Sequence, residues 1–302
     1  MSLISLFGAL EVGLIYGLVA LGVLISFRIL NFPDLTADGS FPLGGAVCAV
    51  SIIAGMNPWL ATLFGTLAGA AAGFVTAWLH VSLKIMQLLA SILVMIALYS
   101  VNLRIMGAPN IPLIWEPTVI TPFINEDYSN QFWVKPLMVL LFVIAAKLLL
   151  DLFFATRTGL ATRATGANIK MSQAQGINTN KMTYLGMMIS NALIALGGSL
   201  YVQTQGGADI SIGVGTIVIG LAAVIIGETL ITSKKMFWIT CAVILGAILY
   251  RLFIALALHS GPLQSIGVSA QDLNFITATL VVIALVLPQI KTKIKRRFKG
   301  RK

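Results

Sequence analysis

The sequence predicts an all-α polytopic membrane protein with about eight to nine transmembrane helices and an internal inverted repeat. Three observations carry this. First, 58% of the 302 residues are hydrophobic and only 10% are charged, with a mean hydropathy of +0.96; a soluble domain carries roughly 25% charged residues. Second, the apolar residues fall in stretches near the length a helix needs to cross a bilayer, about 20 residues. Third, the basic residues collect between alternate stretches, the asymmetry that orients membrane helices.

The apolar segments are 3–27, 41–54, 59–79, 85–103, 137–154, 182–202, 216–231, 237–258 and 274–290. They form a single membrane domain over 1–290, in halves of about 5–135 and 137–290, followed by a basic tail at 291–302. Eight of the twenty basic residues lie in the last twelve positions, from Lys291 to Lys302. Beside a span, such a cluster reads as a cytosolic anchor to anionic lipid head groups, and the net charge of +10 carries no nucleic-acid signal. Counting back from a cytosolic tail places Lys234 and Lys235, the stretch 157–181, His80 with Lys84, and Arg28 on the inner side. The N-terminus is then outside. Arg104, Lys135 and Arg251 fit this scheme less well, although the first two flank a long outer loop where their stems can snorkel. The start of the chain lacks a basic n-region and a clear cleavage site, so no removable signal peptide is expected. Cys48 and Cys241 lie inside apolar segments and suggest neither disulfide nor metal. His80 and His259 stand at span ends.

The first span holds Gly13, Gly17 and Gly22, and the third holds Gly65, Gly69 and Gly73. Small residues four apart let helix backbones approach closely, and packing within the chain is favoured over a subunit interface. Glu11 is read as the one acid clearly inside a span, near its outer end. After Arg28 comes NFPDLTADGSFPLG (31–44), with Asp34 and Asp38. If it dips into the bilayer, protein or a water-filled cavity must surround it and its carboxylates are functional; if it lies at the surface, they are loop caps. The sequence weighs the two evenly. The outer loop 104–136 carries Pro109, Pro112, Pro117, Pro122 and Pro136, Trp115 and Trp133, and the acids Glu116, Glu126 and Asp127. It is a stiff lid or a receiving surface for an external partner.

GLVALG (17–22) and ALIALG (192–197) lie 175 residues apart, and the same offset brings Asp34 onto Asp209. Both aspartates sit in polar interruptions before a further apolar span, NFPDLTADGSFPLG and QGGADISIGVGT (205–216). The two spans run in opposite directions, as an inverted repeat requires, and interrupted segments at matching positions mark the transport pathway in such folds.

The chain has no Gly-Lys dipeptide, and so no Walker A sequence. HExxH, CxxC and GxSxG are absent too. No enzymatic chemistry is supported, and no cofactor is expected in this chain. The longest polar interruption on the inner side is RTGLATRATGANIKMSQAQGINTNK (157–181), with Arg157, Arg163, Lys170 and Lys181 and no acid. Its middle reads as a short helix with Asn168 at the N-cap and Gly176 as the stop. On composition alone it is an ordinary topology-setting loop; as a capped helix between spans it is a handle for a soluble partner.

GANIKMSQAQGINTNK (166–181) resembles the coupling segment of ABC importer permeases of the branched-chain amino acid and ribose type, at Gly166, Asn168, Ser172, Gly176, Ile177 and Asn178. That family often has Ala where Ser172 stands. The start of the chain looks like the same family's first span and following loop. Its Pro-Asp-Leu-Thr-x-Asp-Gly-Ser run resembles a subgroup of simple permeases that pair with lipoprotein-type binding proteins, some of which take aromatic amino acids. The resemblance covers about 14–290. It implies a type II-like fold, similar to the vitamin B12-type importers with fewer spans, in the bacterial cytoplasmic (inner) membrane. It also implies a homodimer, two copies of an ABC ATPase that carry the ATP, and an extracytoplasmic substrate-binding protein. Arg163 joins the six motif residues as the ATPase-coupling set, and Gly166, Asn168 and Gly176 are taken to fix the ends of the coupling helix. Asn31, Asp34, Thr36 and Asp38, with Gln203, Gln205 and Asp209 in the matching loop, are the expected path or gate. The rival reading is a stand-alone carrier or channel that uses Glu11, Asp34 or Asp209 for cation coupling.

Overall fold

The computed structural model describes residues 3–123, 132–231, 233 and 235–258. The segment 274–290, the basic tail, His259, Lys234, Glu126 and Asp127 lie outside the described residues. The chain is built almost wholly of helices: α1 (Leu3–Val23), continued by a π-helical turn over Leu24–Ile29, then α2 (Ala37–Ile53), α3 (Pro58–Val81), α4 (Gln87–Met106), α5 (Val134–Ala155), α6 (Arg157–Ala167), α7 (Ile169–Ala174), α8 (Thr179–Gln205), α9 (Thr216–Leu230) and α10 (Met236–Leu258). Two three-residue strands, β1 (Asn110–Pro112) and β2 (Gly207–Asp209), pair antiparallel with Ile111 opposite Ala208. Among the described residues, seven helices are long and apolar enough to cross a membrane. The apolar segment 41–54 falls in α2, which has only 17 residues.

Local sequence sets the element ends. Asn57 caps α3 by accepting from Trp59 N at 3.0 Å, with Pro58 at the first helical position. Gly107 and Gly206 stop α4 and α8. The helices pass back and forth, so Arg28, the 82–86 turn containing Lys84, the α6–α7 stretch and the α9–α10 corner gather at one end of the bundle. The Ser82–Tyr184 hydrogen bond of 2.9 Å marks that end. The β1–β2 pair marks the other.

α1 and α8 form the centre, both largely buried, and their crossing carries the repeat. A Cβ at Gly22 would lie 2.6 Å from Ser190 O and 2.7 Å from Ile194; a Cβ at Gly197 would lie 3.3 Å from Ile15 O and 3.4 Å from Val19. Each of these pairs maps onto the other at the offset of 175 residues, with the direction reversed. The two spans therefore pack through the same small position in opposite senses. The Asp34 and Asp209 loops match in atomic detail as well. Thr36 N donates to Asp34 Oδ1 at 2.9 Å, and Ser211 N donates to Asp209 Oδ1 at 2.7 Å.

The glycine stripes serve packing inside the chain. Gly65, Gly69 and Gly73 of α3 face Ser199, Ala195 with Asn191, and Met187 of α8, while Gly13 and Gly17 of α1 face α10. The spans also hold more charge than the sequence reading allowed. Asp151 is a second carboxylate within a span. In α5 it pairs with Lys147 at 2.7 Å and accepts from Thr240 of α10 at 2.9 Å, and the Lys147 ammonium sits 3.2 Å above the Phe237 ring. The spacing of four residues on one helix face makes the pair possible, and mutual neutralisation makes it tolerable among apolar neighbours.

Candidate functional site

The polar residues fall into three zones along the bundle. At the first end, Thr156 caps α6 through Gly159 N, and Asn168, in an extended conformation, ends α6 and caps α7 by accepting from Met171 N at 3.0 Å. Gly176 adopts φ +79° with open space where a side chain would go, and Asn178 caps α8 through Lys181 N at 3.1 Å. Three caps within 23 residues leave α7 a short rigid peg. Ile169, Lys170 and Met171 are exposed on it while Ser172 is buried, and Ile177 N returns to Ser172 O at 3.0 Å. Gly166 does not fix an end of α7. It lies inside α6, where any Cβ would collide with the Ile29 carbonyl, so α6 is pressed against the π-helical end of α1. Arg163 lines a cavity of about 400 Å³ beside this contact, together with Arg28 and Glu228, which pair at 2.6 Å. The separate helix α6 was not anticipated; Thr156 with Gly159 three residues on was its available signal.

In the middle zone, the irregular backbone of 30–36 enters the bundle and does not lie on its surface. Phe32, Asp34 and Thr36 are each at most 1% exposed. Asp34 accepts from Asn191 Nδ2 at 2.8 Å, twelve residues up α8 from Thr179. Asn191 Oδ1 accepts from Ser40 at 2.7 Å, and the Thr36 and Thr76 hydroxyls share a hydrogen bond of 2.8 Å. One residue set thus ties the break to α2, α3 and α8. Asp38 makes a second joint. Its carboxylate accepts from Gly215 N at 3.2 Å and Ile217 N at 2.8 Å, so it caps α9 across the repeat and meets the positive end of that helix. Asn31 stands exposed near the start of the break, at φ +54°. Asn191, Ser40 and Thr76 escaped the sequence reading; an amide inside the apolar stretch 182–202 was the signal for the first.

At the other end, Gln203 is buried, accepts from Val119 N at 3.0 Å and donates to Thr62 at 2.8 Å and to Cys48 Sγ at 3.2 Å. Gln205 Nε2 donates to Glu11 at 3.2 Å, and Lys135 Nζ donates to Thr204 O at 3.1 Å. Asp209 is committed to its own loop through Ser211. The seven residues expected along one path are therefore divided between two zones: Asn31, Asp34, Thr36 and Asp38 around the break, Gln203, Gln205 and Asp209 at the β1–β2 end.

The arrangement is that of interrupted helices joined by polar locks, with a capped peg at one end. Over residues 5–287 the chain matches the family described as branched-chain amino acid transport system, permease component. It is 41% identical to the tyrosine transport system permease protein of Clostridioides difficile (strain R20291), over 94% of this chain and 91% of that one. It is 28% identical to the nucleoside ABC transporter permease protein NupC of Lactococcus lactis subsp. cremoris (77% and 74% covered) and 25% identical to the ribose import permease protein RbsC of Escherichia coli K12 (95% and 86% covered). Among solved structures, PsaBC from Streptococcus pneumoniae in complex with Fab superposes with a TM-score of 0.53 at 14% identity, covering 93% of this chain and 89% of that one, a likeness of fold alone. The chain belongs to the branched-chain amino acid transport system permease family: it is a multi-pass membrane permease subunit of an ABC importer, and ATP hydrolysis takes place in a separate ATPase subunit.

Proposed function

We propose that this permease carries a small amino acid or similar solute inward, that two copies form the pathway, and that an ATPase on each copy grips α7 from the cytosol. An extracytoplasmic binding protein delivers the solute to the β1–β2 end. The observation that carries the reading is the contact between Gly166 and the Ile29 carbonyl. A push on the peg at Ile169–Met171 passes through α6 to the end of α1, and from there into the break at 30–36. The break is where irregular backbone can shift without unmaking a helix, as in alternating-access carriers built from repeats. Asp34 with Asn191, and Asp38 with the start of α9, act as joints that keep the broken ends registered while they move. The amino-acid assignment is supported by the 41% identity to a permease named for tyrosine transport.

The test is uptake into vesicles containing the permease, its ATPase and its binding protein, with Gly176→Val beside the wild type. Valine is strained at φ +79°, so α7 is misplaced while the spans still insert. The expected outcome is ATP hydrolysis that no longer drives uptake. Normal uptake by this variant would sink the coupling assignment. Uptake by the permease alone under an ion gradient would replace it with the carrier reading.

A further inference from the structure

The cavity of about 400 Å³ lies where four elements come together: the π-helical turn after α1, α6, the end of α9 and the start of α10. Arg28 and Arg163 line it, with Glu228 as its one acid. Arg28 Nε donates to Glu228 Oε1 at 2.6 Å, and this pair neutralises itself. The terminal nitrogens of Arg28 keep their donors, on a side chain that is 66% exposed. Among the described residues, no carboxylate pairs with Arg163, which is half-buried in α6. The cavity thus carries one uncompensated positive charge and forked donors suited to an oxyanion.

Its depth selects among anions. Glu228 stands two residues before the end of α9, and Arg28 one before the end of the π-helical turn. On α10 the lining runs from Met236 through Ile239 to Ala242, six residues along the helix. At 1.5 Å per residue that side descends about 9 Å. The head-group layer on each side of a bilayer is roughly 5–8 Å thick, so the floor reaches hydrocarbon depth. Phe237 and Trp238, each about half exposed, stand at the level of the rim, as interfacial aromatics do. A small hydrophilic anion would meet the charged rim and leave the apolar floor unfilled. An anion with an apolar body fills both. Basic pockets between membrane helices on the cytosolic side have the chemistry that holds anionic lipid head groups.

We propose that this cavity holds the phosphodiester of an anionic phospholipid of the inner leaflet, Arg163 and the free donors of Arg28 meeting the phosphate, with the first acyl carbons against Ile239 and Ala242. Bound there, the lipid links α6 to the α9–α10 corner beside the Gly166–Ile29 contact and braces the joint through which α7 acts. The brace rests on the coupling reading above; the site does not. The test is native mass spectrometry of the permease assembled with its ATPase, titrated with phosphatidylglycerol, phosphatidylcholine or inorganic phosphate. The wild type is expected to hold phosphatidylglycerol about tenfold more tightly than phosphatidylcholine. Arg163→Gln loses about tenfold, and Arg163→Lys keeps at least a third of the affinity. Ile239→Trp fills the floor with every charge kept and also loses about tenfold. The basic tail is common to all variants, so lipid held there cancels. Equal affinity for phosphatidylglycerol in the wild type and in assembled Arg163→Gln or Ile239→Trp overturns the site. Displacement of the lipid by an equal concentration of inorganic phosphate makes it a free-phosphate site and overturns the lipid. In vesicles of phosphatidylcholine, adding phosphatidylglycerol should raise uptake per ATP about threefold for the wild type and not for Arg163→Gln. Lipid held by the wild type with no change in that ratio overturns the brace.

Discussion

At the scale of single residues, the buried carboxylates explain most of what is unusual in the chain. Asp34 is enclosed by protein and satisfied on both oxygens, by Thr36 N and by Asn191. Asp34→Val leaves Thr36 N unpaired, at about 1–3 kcal/mol, and takes from Asn191 Nδ2 one of its two acceptors, the other being Met187 O. A lowered thermal midpoint of the detergent-solubilised protein checks this; an unchanged midpoint would mean that the break is held by packing alone. Asp38 differs because its partners are the backbone N–H groups that open α9. The sequence singled out both acids but left them evenly between buried groups and surface loop caps, because the depth of the 31–44 segment is not a local property. Which groups they bind was not legible either, because Asn191 and Gly215 are more than 150 residues away and no local spacing announces them.

At the scale of elements, α7 is short enough that its caps decide whether it exists. Asn168→Ala removes the side chain that accepts from Met171 N, a loss of about 1 kcal/mol, and should lower coupled uptake without affecting insertion. Its measurement is the ratio of uptake to ATP hydrolysis. The caps at Asn168, Gly176 and Asn178 follow from local backbone chemistry, and the sequence revealed the first two directly. The role of Gly166 did not follow, because its neighbour Ile29 belongs to another helix. The junction of α5 and α10 gives a further prediction. Lys147→Met alone strands Asp151 in an apolar setting and should cost about 3–5 kcal/mol, while Lys147→Met with Asp151→Leu should lie near the wild type. Thermal midpoints of the two variants distinguish a paired charge from a functional one.

At the scale of the whole molecule, the repeat makes one half brace the other. α3 packs its glycines on α8, and α1 packs its glycines on α10, so each half contributes the central helix for the other. Arg28, Lys84 and the α6–α7 stretch gather at one end of the bundle, the basic asymmetry that predicts a cytosolic face there. In a background lacking Cys48 and Cys241, a cysteine at Trp115, an exposed residue of the 113–123 loop, should react with a membrane-impermeant thiol reagent added to intact cells. A cysteine at Met171 should react only after permeabilisation. The reverse labelling would invert the topology and place the peg away from any ATPase.

The sequence by itself determined the class of the molecule, the positions of the apolar segments from 3 to 258 and the peg at 168–176, and it pointed to the repeat. Each depends on composition, on periodic hydropathy or on backbone chemistry within a few residues. Only the tertiary structure decided that 30–36 lies inside the bundle, that Gly166 bears on the end of α1, and that Lys147 and Asp151 neutralise each other against Phe237 and Thr240. The physical reason is the same in each case. An apolar environment makes a polar group depend on the partner it finds, and in this chain most of those partners come from a different helix.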